Sequence, residues 1–179
     1  MCRSSMEHIL PLTRYSTRGS LVTDKIPLEV PMVPLITLAA GTGVARLAGL
    51  AGVGALDGWH PALRVGLALM LTVTGLAHFS ARRRAGLVAL VPPRLPHPQF
   101  LVTLTGVLEL LGAAALLAPP TARWAAAGLA VLMLAMFPAN VSGARRKLTL
   151  AGRPVTPLPA RTAMQVTFVA AAVAISLGS

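Results

Sequence analysis

The chain has 179 residues, of which 55% are hydrophobic and 12% charged, and its formal net charge is +11. A soluble domain carries about 25% charged residues, so this composition indicates a membrane protein of single-domain length. Basic residues lie in short loops between apolar runs and aromatics make up 4%, which argues against a nucleic-acid-binding surface. Because Cys2 is the single cysteine, no internal disulfide or thiolate metal cage can form, so any redox chemistry would have to come from a bound cofactor or a partner. We expect no metal, and no cofactor site is evident apart from the quinone considered under one alternative below.

The N-terminal third of the chain changes character near residue 30. Residues 1–30 are polar and mixed in charge, and they predict a disordered tail, with a start codon downstream of Met1 as the alternative. Residues 31–55 form an extra hydrophobic helix in which Arg46 interrupts the apolar run Met32–Gly54. We expect this run to span the membrane with Arg46 reaching the outer headgroups; an interfacial or re-entrant helix is the alternative.

Residues 60–179 contain four apolar runs long enough to span a membrane. The run Leu101–Ala118 is the most apolar, and at 1.5 Å per residue it measures about 27 Å. Between Ala62–Ser80 and Leu101–Ala118 the chain has three arginines, the short apolar segment Ala85–Val91 and a proline-rich stretch. Because prolines break helices, we expect this part to lie on the membrane surface. The other predicted spans are Ala62–Ser80, Arg123–Ala139 and Thr162–Leu177, with a tight turn at Pro119–Pro120.

The charge distribution predicts how these spans are oriented. With five spans, one side of the membrane receives thirteen lysines and arginines, and the other side receives only Arg64 and Arg123. By the positive-inside rule the N-terminus and the arginine-rich loops are therefore expected in the cytoplasm.

The centre of interest is Glu109, because it is the single acidic residue between Gly58 and Ser179 and lies in the middle of a span. A charge there costs roughly 2.5–3.5 kcal/mol on insertion scales, so it is expected to face protein and find a partner. Four helices bring polar residues into the same half of the membrane, and we predict one buried cluster around Glu109 with Arg161 or His78 as its charge partner. Its members are His78, Glu109, Asn140, Arg161 and Gln165.

Each member also has a structural explanation. Polar groups between membrane helices often only hold the helices together, His78 could simply lie among the headgroups, and Asn140 could satisfy carbonyls left unpaired by Pro138. Gly106, Glu109, Gly112 and Ala113 share a helix face whose small residues would let a neighbouring helix come close.

Several short motifs in residues 60–179 resemble the DoxX family of small bacterial and archaeal membrane proteins. They are Gly75–Phe79 (GLAHF), Val91–Pro98 (VPPRLPHP), Gly106–Gly112 (GVLELLG), Phe137–Asn140 (FPAN) and the pair Arg161 and Gln165. The resemblance implies an all-α, integral membrane four-helix bundle, to which residues 31–55 add an N-terminal helix, in the bacterial inner membrane. Its motif positions include His78, Glu109, Asn140 and Gln165. This chain departs from the family pattern after His78–Phe79. The family usually has a short proline-containing segment there, whereas this chain has Ser80–Ala81 followed by three arginines.

Three functions remain open at this level. The first is an accessory or partner-binding membrane subunit linked to redox or stress metabolism, without catalytic activity of its own. The second is a quinone-interacting oxidoreductase subunit of the thiosulfate:quinone type, which the resemblance suggests, and the third is a small proton-coupled permease. A quinone role requires a pocket beside His78 and Glu109, a carrier requires a water-reachable cavity, and an accessory role predicts a packed bundle. The expected partners are the lipid bilayer, a membrane or redox protein and a second copy of the chain, but no nucleic acid.

Overall fold

A computed structural model of the protein describes residues 32–150 and 153–178; the predicted tail 1–30 lies outside the described residues. The described chain is helical except for a minimal antiparallel pair, β1 (Thr149–Leu150) and β2 (Arg153–Pro154). Five of the helices are long and apolar enough to cross a membrane, which confirms the prediction of an all-helical chain with membrane-spanning segments at this level. The α-helices are α1 (Val33–Leu50), α2 (Trp59–Ala77), α3 (Ala81–Leu90), α4 (Pro98–Leu117), α5 (Pro119–Arg145) and α6 (Leu158–Gly178), with a 3-10 turn at Gly54–Leu56.

Prolines account for the main differences from the predicted helix bounds. Pro119 and Pro120 open α5 where a turn was expected, because a proline in the first helical turn gives up no helix hydrogen bond. Ala118 alone therefore joins α4 to α5. At the other end α5 continues through Pro138, so that Asn140 lies inside the helix and not just beyond its end.

The long helices pack in a closed order. α2 contacts α4, α4 contacts α5, α5 contacts α6, and α6 returns to α2. The largest side chains at the centre of this ring are Leu67, Met70, Leu71, Leu116 and Ile175, all almost fully buried. Helix α1 has its main contact with α2 and so lies beside the ring.

Glycine lets α1 approach α2 closely. A Cβ placed on Gly66 would lie 2.7 Å from the Leu38 carbonyl oxygen and 2.8 Å from the Thr42 nitrogen, both on α1. Arg46, which was expected to reach the outer headgroups, forms an ion pair with Asp57 at 3.0 Å and lies over the Trp59 ring at 5.7 Å from its centroid. The charge that interrupts this apolar run is therefore neutralised by the loop that follows α1.

Three arginines donate hydrogen bonds to the carbonyls at the carboxyl end of a neighbouring helix. Arg84 donates to the His78 carbonyl at the end of α2 and Arg64 donates to the Leu116 and Leu117 carbonyls at the end of α4. Arg146 donates to the carbonyls of Ala89, Leu90 and Val91 at the end of α3. The last carbonyls of a helix have no partner within it and carry partial negative charge, so a guanidinium satisfies both requirements.

We predict that Gly66→Ala loosens α1 from α2, because the added methyl group meets the backbone of α1. Overpacking of this kind costs about 1–3 kcal/mol, so the thermal unfolding midpoint in detergent should fall. Gly43→Ala is the control, because Gly43 lies on α1, the partner helix of Gly66, and nothing lies within 4 Å of a Cβ at that position. Equal midpoints for the two variants would contradict this account of the contact.

Candidate functional site

Glu109 is the one polar or charged side chain that is buried among the described residues, with 3% of its surface exposed. It lies eleven residues into α4, which places it about 16 Å along the helix from Pro98. Its side chain points towards α2. The carboxylate is therefore turned into the protein, which is the arrangement expected of a charge within a membrane-spanning helix.

Two residues of α2, one helical turn apart, contact the Glu109 carboxylate. The Thr74 hydroxyl donates to Oε2 at 2.6 Å, and His78 Nε2 lies 3.6 Å from Oε1. Thr74 and His78 are separated by four residues, so both face the same neighbour on α4. In the described ranges no buried side-chain nitrogen or oxygen lacks a hydrogen-bond partner, and the carboxylate's partner is the Thr74 hydroxyl at Oε2.

The His78 ring is also held on its far side. Its Nδ1 lies 2.8 Å from the Val102 carbonyl oxygen and 3.2 Å from the Thr105 hydroxyl oxygen, both on α4. The side chain is 12% exposed. His78 thus bridges two turns of α4, with Glu109 at one nitrogen and the backbone at the other.

Two glycines provide the space for this contact. A Cβ on Gly106 would lie 2.6 Å from the His78 Cβ and 3.0 Å from the Phe79 ring. A Cβ on Gly75 would lie 2.9 Å from Leu110 and 3.3 Å from the Glu109 Cβ. The expected close approach along the Gly106 face is thus present, whereas Gly112 faces α5, where Leu129 occupies the space.

The structure places the other three predicted cluster residues in a second group, between α5 and α6. Arg161 donates to Asn140 Oδ1 at 2.5 Å and to the Thr156 carbonyl at 3.1 Å, and Gln165 donates to the Met133 carbonyl at 2.7 Å. No hydrogen bond or ion pair joins this group to Glu109 in the described part of the chain. The Asn140 side-chain oxygen accepts from Arg161, so Asn140 links α5 to α6.

Sequence reasoning missed three residues of the Glu109 site. Thr74 and Thr105 supply hydroxyls to the carboxylate and to the imidazole, and Arg84 holds the His78 carbonyl and the Thr103 hydroxyl. Thr74 could have been found from its spacing of four residues before His78. Arg84 could not, because its role depends on how α3 folds back against α4.

Neither of two surface cavities includes His78 or Glu109. One, of about 240 Å³, lies where α5 meets the β pair, beside Lys147 and Thr156. The other, of about 320 Å³, is an apolar groove between α4 and α5. No group of three or more histidine, cysteine, aspartate or glutamate side chains in the described ranges could hold a metal ion.

We predict that double-mutant cycles will separate the two polar groups. Changes in the free energy of unfolding for Glu109→Gln and Arg161→Gln should add within about 0.5 kcal/mol, because the two residues share no partner. Glu109→Gln and His78→Gln should instead deviate from additivity by about 1 kcal/mol or more, because each leaves the other's buried group unpaired. Strong coupling between Glu109 and Arg161 would restore the single cluster predicted from sequence.

Comparison with known proteins corrects the family assignment. No curated protein and no solved structure matches this chain. The resemblance to the DoxX family is wrong, because the family model that matches is a different one. Its motifs contain the glycines and polar residues that pack α2 on α4 and α5 on α6, and such small-residue patterns recur in unrelated membrane proteins. The model described as "Domain of unknown function (DUF8561)" matches residues 67–176, and the chain belongs to that family.

Proposed function

We propose that this protein is an integral membrane protein that crosses the bilayer five times and acts as an accessory, partner-binding subunit without catalysis of its own. In this proposal α2, α4, α5 and α6 form the four-helix bundle and α1 is an added span. Large apolar side chains face outward on every long helix, as lipid contact requires; examples are Leu47, Leu76, Leu111, Val131 and Val166.

The accessory role is supported by one observation: the polar groups of the Glu109 site are paired with each other and the space beside them is filled. Its carboxylate is paired with Thr74 and His78, and the space beside Gly106 is filled by His78 and Phe79. A bound quinone or a transported substrate would need room next to these groups, whereas the groove and the cavity described above are lined by other residues. A packed and satisfied site supports a role in holding α2 to α4.

The outward surface is then left for interaction with other molecules, and the α4–α5 groove is the part of it that suits a helix. Its walls are leucines and its floor is Gly112, Ala115, Ala125 and Gly128. Small residues let a helix backbone approach closely, which is how membrane helices pack. The proposed occupant is a single transmembrane helix of a different membrane protein.

Photocrosslinking in native membranes tests this proposal. Leu111 in the groove and Val166 on α6 are both 62% exposed, so each is replaced in turn by photoreactive benzoylphenylalanine. We expect one discrete adduct with another protein from position 111 and none from position 166. Gly128→Leu, which fills the groove, should remove the adduct, and Gly43→Leu should not, because both glycines have open space at Cβ. Adducts with lipid only, or of twice the chain's mass, would contradict the proposal.

The proposed orientation places the α3 side, with its arginines, in the cytoplasm. Arg94, between α3 and α4, and Val53, between α1 and α2, are both exposed and lie on opposite sides in this arrangement. In a Cys2→Ser background, Val53→Cys should react with a membrane-impermeant maleimide on intact bacterial cells. Arg94→Cys should react only after the membrane is opened. Labelling of both positions, or the reverse order, would rule out this topology.

A further inference from the structure

The atoms around His78 determine which of its ring nitrogens carries a permanent hydrogen. The Val102 carbonyl, 2.8 Å from Nδ1, can only accept a hydrogen bond. The Thr105 hydroxyl also lies 2.9 Å from the Leu101 carbonyl, so its own hydrogen is directed to the backbone and its oxygen accepts from Nδ1. Both neighbours of Nδ1 are acceptors, and Nδ1 must therefore be protonated.

This tautomer leaves Nε2 facing the Glu109 carboxylate across 3.6 Å. A neutral ring with its hydrogen on Nδ1 has a lone pair on Nε2. That lone pair would face an ionised carboxylate that is 3% exposed, and the negative charge would have no counter-charge. One proton placed between Nε2 and Oε1 removes both the repulsion and the net charge.

No other cation contacts this carboxylate in the described part of the chain. Arg84 of α3 binds the backbone carbonyl of His78, and Arg161 of α6 is paired with Asn140 of α5. Thr74 of α2 is neutral and donates to the other carboxylate oxygen. The balance of charge at the site is therefore left to His78 and Glu109 alone, and a second added proton would leave it with an uncompensated positive charge.

We propose that His78 and Glu109 form a proton-binding site that holds one proton at neutral pH, on the edge between Nε2 and Oε1. With the proton on Nε2 the pair is imidazolium and carboxylate; with it on Oε1 the pair is imidazole and carboxylic acid. Transfer requires Nε2 and Oε1 to close from 3.6 Å to hydrogen-bond distance. It then breaks the Nε2–H bond, whose electron pair stays on nitrogen, and forms an O–H bond from a carboxylate lone pair, so no other reactant is needed. Both forms are neutral overall, so the proton can pass between α2 and α4 without changing the charge inside the membrane. This site is independent of the proposed partner-binding function.

The same two side chains, separate and in water, would hold a different number of protons at neutral pH. At pH 7 an isolated histidine is mostly neutral and an isolated glutamate is ionised, which would leave no proton on this edge. The test uses the full-length chain with His8→Gln, His60→Gln and His97→Gln, so that His78 is the sole histidine and the site is untouched. Nitrogen-15 NMR of the labelled ring in lipid at pH 7 reports the protonation of both nitrogens. Infrared spectroscopy of the same sample reports whether a carboxylic acid is present.

We expect Nδ1 to be protonated, together with one of two results: a protonated Nε2 and no carboxylic acid, or an unprotonated Nε2 and a carboxylic acid band that Glu109→Gln removes. Thr105→Val is the control, because the Val102 carbonyl remains and Nδ1 should stay protonated. An unprotonated Nδ1 would overturn the proposal. Two further results would also overturn it. A neutral imidazole beside a carboxylate would mean that Nε2 and the carboxylate hold no proton, and an imidazolium beside a carboxylic acid would mean that they hold two.

Discussion

The contact between Glu109 and the α2 face that carries Thr74 and His78 constrains the rest of the bundle. A carboxylate in an apolar helix must be turned towards protein and given polar partners, and here these are Thr74 of α2 and His78, which directly follows α2. They can reach it only if the two backbones are close, which requires Gly75 on one side and Gly106 on the other. Once the rotation of α2 and α4 about their axes is set in this way, the faces that each presents to α1, α5 and α6 are also set.

The same contact is linked to the short helix α3. His78 ends α2, and its carbonyl receives a hydrogen bond from Arg84 of α3, which also binds the Thr103 hydroxyl of α4. Leu90 at the end of α3 then fills the space above Gly143 of α5, while Arg146 closes the last carbonyls of α3. The short helix is thereby tied to α2, α4 and α5.

The positions of the long helices could be predicted from the sequence, because the length of an apolar run can be read directly along the chain. Apolar runs located the five long helices, and their order alone put His78, Asn140, Arg161 and Gln165 in the same half of the molecule. Which of these residues meets Glu109 depends on how each helix is rotated, and rotation is decided by packing that a linear pattern does not contain. His78 and Arg161 were therefore equal candidates from sequence, and only the Gly106 contact separates them. The DoxX resemblance failed for a related reason, since short glycine-containing motifs report close helix contacts and not ancestry.

The choice of histidine as the partner of Glu109 is physically meaningful in a chain with sixteen lysines and arginines and only five acids. A guanidinium cannot lose its proton in a protein, so an arginine here would fix the pair as two separated charges in a medium that disfavours them. Arginines instead lie near the ends of helices, where Arg64, Arg84 and Arg146 donate to helix-terminal carbonyls. An imidazole, unlike a guanidinium, can give up a proton to a neighbouring acid. In the proposed site the pair would therefore carry no net charge whichever of the two groups holds the proton, and no separated charge when the acid holds it.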